Sequence, residues 1–304
     1  YAMTMVYFVR MLIMMGYAFW VYQPTLIFKL PTNFKEVLSY SFYIIMAGSA
    51  ASILLDIDKT MIPQQQQIAQ VAYYAVGIYI ASVIAIPFRA MQQIINPITA
   101  KALNENNMDE VRSLYQKSSI NLLVVGGLLF LVINLNVEDL YVLINKPEYA
   151  IGTIIVLLIS IAELYKLALG TNGVILSNSK YYKMFFYFSL AMAISVVVLN
   201  KWLIALLGIE GAALATLLVV LVFSTIKILY IQQKLQMQPF TRNSVIVLVL
   251  IGSLFLVFYF WNFTFHPIVN IILKTVIVSV IYVFAILKLD VSKDIQEVLN
   301  RFVK

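Results

Sequence analysis

Apolar runs of membrane-crossing length follow one another along the chain, separated by short polar turns. About 20 apolar residues in a helix cross the hydrocarbon of a bilayer. The pattern therefore predicts about nine spans, at 1–22, 38–58, 71–95, 119–136, 151–171, 184–200, 209–230, 244–261 and 268–287. One stretch departs from simple apolarity. In Val71 to Ala102, the residues Arg89, Gln92, Gln93 and Asn96 recur at i, i+3, i+4 and i+7, which is one helical face. Pro87 precedes this polar stripe and Pro97 follows it. Two readings stand: a helix end reaching the headgroups with Arg89 snorkelling, or one wall of a water-filled path.

The connecting segments carry weaker patterns. Met108, Val111 and Tyr115 recur at helical spacing within the loop 99–118 and predict an amphipathic helix on the membrane surface. Val291, Ile295, Val298 and Phe302 predict the same for the tail. Gly208, Gly211, Ala212 and Ala215 predict a tight turn and close approach of two helices. Gln64 to Gln67 form a polar tract in the turn after the second span.

Composition settles the class. The chain is 62% hydrophobic and 12% charged, with a mean hydropathy of +0.91. Soluble domains carry about 25% charged residues, so the reading is an all-α polytopic membrane protein. The net charge of +7 sits in loops and does not imply nucleic acid. Lys29 and Lys35, then Lys101, Arg112 and Lys117, then Lys180 and Lys183, then Lys227, Lys234 and Arg242, and finally Lys288, Lys293, Arg301 and Lys304 fall in alternate loops. The other loops hold Lys59, Lys146 and Lys201 among the acids Asp56, Asp58, Glu138, Asp139, Glu148 and Glu210. The positive-inside rule then places the C-terminus in the cytoplasm and Tyr1 outside. Tyr1 opens directly on an apolar run without a basic flank. The expectation is a fragment that begins inside a longer protein, with an odd number of spans before it.

Candidate chemistry is narrow. There is no cysteine and one histidine, His266, so disulfides, thiolate chemistry and the usual zinc sites are excluded; no metal or cofactor is expected. No nucleotide-binding phosphate loop is present. Ionisable groups at bilayer depth cost at least about 2.5–3.5 kcal/mol each, so those that persist are informative. They are Arg10, Arg89, Lys166 and Lys274, against the single acid Glu163. Glu163 and Lys166 are three apart and can pair; Lys274 reads as a snorkelling residue. Ser49, Ser52 and Asp56 share a face of the second span, which ends at Asp58 and Lys59. The excess of cations suits an anionic substrate such as a phosphate or pyrophosphate group.

Several stretches, taken in order, resemble a known family. They are DKTMI at 58–62, AVGIYIAS at 75–82, INPITAKAL at 95–103, NSKYY at 178–182 and GIEGAALAT at 208–216. Together they resemble the O-antigen-type oligosaccharide flippases of the multidrug and oligosaccharidyl-lipid exporter superfamily. The resemblance implies about fourteen spans in two six-helix lobes plus two helices, of which this chain would hold the sixth to the fourteenth. Residues 1–34 would then be the last helix of the first lobe and a linker. Residues 35–233 would form the second lobe, 234–288 two additional helices, and 289–304 a cytoplasmic tail. It implies a transporter, not an enzyme, in the bacterial plasma membrane. Its substrate would be a polyprenyl-pyrophosphate-linked oligosaccharide, and its partners membrane lipids, a polysaccharide polymerase and other assembly proteins. Of the charged residues, the motifs carry over only Asp58, for coupling or structure. Arg10, Arg89, Gln92, Gln93, Asn96, Glu163 and Lys166 are candidates for the substrate path by membrane depth, and Asp56 joins Asp58 as a coupling or structural candidate. A cation-coupled drug antiporter, which would want an acidic cavity, and a membrane-embedded glycan polymerase or transferase are the alternatives.

Overall fold

A computed structural model describes residues 2–22, 32–145, 147–261 and 265–297. Lys29, Lys146, Val298, Arg301, Phe302 and Lys304 lie outside the described residues. Every regular element among the described residues is helical, and nine helical segments are long and apolar enough to cross a membrane. The helices are α1 (Ala2–Tyr22), α2 (Phe34–Met61), α3 (Ala69–Ser82), α4 (Ile86–Asn104), α5 (Met108–Leu143), α6 (Thr153–Ala168), α7 (Asn172–Asn178), α8 (Tyr182–Leu207), α9 (Ile209–Leu235), α10 (Arg242–Tyr259) and α11 (Pro267–Lys288). Two compact units result, Tyr1–Ser41 and Phe42–Lys304. In the first, the described side chains of α1 are exposed along its whole length, Arg10 included.

The second unit is built round α5. Asn107 starts this helix by accepting from the Glu110 N–H at 3.3 Å, while its own Nδ2 donates to Glu110 Oε2 at 2.8 Å. Asp109 and Glu110 in the first turn suit the positive end of the helix dipole. Met108, Val111 and Tyr115 thus do not form a separate surface helix but the first turns of α5. Val111 and Tyr115 are buried with Leu103, Ile175, Phe188 and Ile231, which makes this end a packed core.

Further along α5, a side chain at Gly126 would overlap Leu167, and one at Gly127 would overlap Ile251 and Tyr282. Two adjacent glycines therefore let α6 approach one side of α5 and α10 with α11 the other. This is how helices pack tightly in lipid, where apolar side chains gain nothing merely by leaving the solvent. Tyr282 donates from its hydroxyl to the Val124 carbonyl at 2.9 Å, which ties α11 to the same level.

Two of the expected spans are interrupted. Between α3 and α4 a 3₁₀ turn at Val83–Ala85 precedes Pro87. Pro97 does not close the polar stripe; it lies inside α4, which runs on to Asn104. The carbonyl that Pro97 leaves without its helical donor is that of exposed Gln93. The span expected at 151–171 stops at Ala168, and a short α7 resumes at Asn172. Gly170 takes φ +54° at the break, and a Cβ there would meet Ser118, Ser119 and Tyr115, so only glycine fits. Ser119 Oγ donates to the freed Ala168 carbonyl at 2.5 Å.

The tight turn between α8 and α9 is present. Gly208 has φ +62°, and Gly211 packs directly against the Leu203 carbonyl. Lys274 does not snorkel. It is buried between α11 and α5, 3.6 Å from Asp139 Oδ2 and 3.4 Å from the Leu135 carbonyl, because Asp139 belongs not to a loop but to the last turns of α5, where it faces α11. Asn270 Nδ2 donates to the other oxygen of Asp139 at 3.3 Å. In the described part of the tail, Val291 is buried and Asn121 Nδ2 donates to Asp294 at 2.8 Å, so the tail docks on α5.

At the end of α2, the buried Asp58 carboxylate gathers four helices. Tyr74 of α3 and Asn200 of α8 donate to its two oxygens, and Thr216 of α9 donates at 3.1 Å. Asp58→Ala would leave these donors without their acceptor and should cost about 2–4 kcal/mol of stability. Tyr74→Phe, which removes one donor, should cost about 1 kcal/mol. Reversible unfolding in mixed micelles measures both.

Candidate functional site

The membrane-depth cations of the second unit direct attention to a cavity of about 250 Å³ between α2, α4, α6, α7, α8 and α9. Lys166 and Lys227 line it with Asn172, Phe88, Phe185 and Ser224. Apolar residues of α2, from Ala50 to Leu54, form part of the wall.

The two lysines arrive by different routes. Lys166 lies near the end of α6, one turn before the Gly170 break, and its Nζ is 2.5 Å from Glu163 Oε1. The pair is local, three residues apart on one helical face. Glu163 is the more sheltered partner, with 16% of its side chain exposed against 33% for Lys166. Lys227 belongs to the body of α9 and not to a loop, which corrects its placement among the loop cations: α9 continues apolar and helical to Leu235. Its Nζ lies 3.3 Å from the Met192 sulfur and 5.8 Å from the centre of the Phe185 ring. Both are weak partners for an ammonium, and no carboxylate pairs with Lys227 among the described residues. Two cations and one carboxylate thus leave one positive charge in excess. In a setting of low dielectric such a charge attracts an anion strongly.

Of the residues expected from sequence, Lys166 lines this cavity, and Glu163 is paired with it from the same helix. Arg89 and Gln93 are exposed on α4, one and five residues beyond the cavity-lining Phe88. Gln92 and Asn96 are half-buried, and Asn96 Oδ1 is shielded without a hydrogen-bond donor. Asp56 is exposed and pairs with Lys59 at 2.7 Å, whereas Asp58 turns inward to the four-helix junction described above. Arg10 lies in the other unit, exposed on α1. The sequence reading missed Lys227 as a cavity residue. Its signal was present: Ile228 and Ile231 continue the apolar face of the span past the lysine. No group of three or more histidine, cysteine or acidic side chains able to hold a metal occurs among the described residues.

No protein-family model matches the chain, and neither a curated protein nor a solved structure matches it.

The cavity can be probed directly because the chain has no cysteine. Single cysteines at Lys227 and Asn172 should react with a water-soluble thiol reagent about tenfold faster than one at fully buried Ser160, since access governs thiol reactivity. Equal rates would mean that water does not reach the cavity.

Proposed function

We propose that this multi-pass membrane protein is a transporter that moves a polyprenyl-pyrophosphate-linked oligosaccharide from the inner to the outer leaflet during cell-surface polysaccharide assembly. The observation that carries the reading is the excess positive charge at Lys166 and Lys227, in a cavity walled by spanning helices. Pyrophosphate presents several anionic acceptors, and two ammonium groups supply point charges and rotatable donors without demanding one geometry. Glu163 holds Lys166 until an anion of higher charge competes for it. The lipid tail remains in the bilayer while headgroup and sugars pass through the hydrated side.

Other features are consistent with this reading. The interruptions at Val83–Ala85 and at Gly170 resemble the discontinuous helices from which transporters build midplane sites, and they provide points where helix halves rock. The motifs resembling oligosaccharide flippases contribute Asp58 and Thr216 to the buried junction. That gives the resemblance a physical content: two of its residues hold helices together. The alternation of basic loops supports a cytoplasmic C-terminus, and the resemblance implies a bacterial plasma membrane. A drug antiporter for cations would need the opposite charge excess.

The test is reconstitution of the full protein in liposomes with a short-chain polyprenyl-pyrophosphate oligosaccharide, read by an impermeant sugar-specific probe. Protein-dependent movement is expected. Lys227→Met should slow it by about tenfold or more, equivalent to about 1.4 kcal/mol of lost headgroup attraction, while Lys227→Arg retains it. Arg10→Ala and Arg89→Ala should also impair movement with insertion intact. Absence of movement with or without an ion gradient would overturn the reading, and cation-driven drug efflux by the same liposomes would replace it with the antiporter.

A further inference from the structure

A second cavity, of about 240 Å³, lies toward the other end of the helices. Lys227 sits in the last third of α9, whereas this cavity is reached by Glu210 in the first turn of that helix. Asn134 of α5, Ile154 and Leu157 of α6, and Phe255 and Tyr259 of α10 form part of its wall.

Two of its polar groups, Asn134 and Glu210, present acceptors; Thr153 and Tyr259 add hydroxyls. Asn134 is only 7% exposed, and its Nδ2 donates to the Phe130 carbonyl at 2.9 Å. That bond fixes the amide so that Oδ1 is the free atom, and Oδ1 is buried without a hydrogen-bond partner. A buried acceptor left unmatched costs about 1–3 kcal/mol, so a donor supplied here would be stabilising. Glu210 is exposed and has neither a hydrogen-bond nor an ion-pair partner among the described residues. It adds negative charge and further acceptors. Phe255 and Tyr259 stand with ring centroids 5.4 Å apart and offer aromatic faces to a cation. The rim is largely apolar and open, with Ile151, in the 3₁₀ turn before α6, 54% exposed and Tyr259 of α10 45% exposed.

We propose that this cavity binds the headgroup of a phospholipid bearing a primary ammonium. The ammonium donates to Asn134 Oδ1 and pairs with Glu210, and the acyl chains follow the apolar rim past Ile151 and Ile154. A choline headgroup has the same charge but no N–H, so it leaves Asn134 unmatched. The site therefore discriminates by hydrogen bonding and not by charge. It stands apart from the lysine cavity and does not rest on the transport reading.

The test is native mass spectrometry of the full protein in micelles doped with phosphatidylethanolamine or phosphatidylcholine of identical acyl chains. Preference for the ethanolamine lipid by about tenfold is expected. Glu210→Gln, a change at an exposed position that leaves packing intact, should reduce retention of both lipids. Asn134→Leu should reduce retention of the ethanolamine lipid to the choline level with unchanged helicity. Lys166→Met and Lys227→Met should leave the preference untouched. Equal retention of the two lipids, or full retention by Glu210→Gln, would overturn the proposal. Competition by water-soluble glycerophosphoethanolamine as effective as by the lipid would also overturn it, because the ligand would then be a free amine.

Discussion

Helices already immersed in hydrocarbon gain little by touching one another, so this bundle depends on polar groups that cannot be left alone. The Asp58 carboxylate is the clearest case. Buried at the end of α2, it is matched by donors from α3, α8 and α9. An isolated charge or donor at that depth costs several kcal/mol, which penalises any arrangement that separates these helices. The junction fixes one end of the bundle and leaves the rest to close packing.

That packing is organised by α5. Gly126 and Gly127 lower the surface of this helix on two sides, so that α6 and the α10–α11 pair seat at short distance. The buried Lys274–Asp139 contact and the Tyr282 hydroxyl then fasten α11 at two levels. Both polar groups find their partners on α5. The buried ion pair specifies register, since breaking it would strand a charge.

The same rule bears on the candidate sites. The Asp58 carboxylate is matched at its junction, whereas one polar group at each of the two cavities is matched only in part; buried acceptors without a donor also occur elsewhere, at Asn136 and Asn200. Lys227 has only a thioether and a ring for company, and Asn134 Oδ1 has nothing. Incomplete matching is tolerable where a ligand or water supplies the missing partner. The two cavities differ in sign, one with an excess of cation and one with a carboxylate and a free acceptor. They also lie toward opposite ends of the helices.

Hydropathy period and loop charge determined the membrane class, the spans and the Gly208–Gly211 turn, because these are properties of local sequence read against one solvent. The Glu163–Lys166 pair was legible for the same reason: it lies within one turn of one helix. Partners distant in sequence were not. Asp58 meets Asn200 and Thr216 across 142 and 158 residues, and Lys274 meets Asp139 across the bundle, so only the tertiary structure decided that the first is a junction and the second an interior pair. It also decided that Met108 to Tyr115 continue α5. The sequence shows an amphipathic face there, but the layer that covers that face comes from α4, α7, α8 and α9, and amphipathicity alone does not say whether lipid headgroups or protein will cover it.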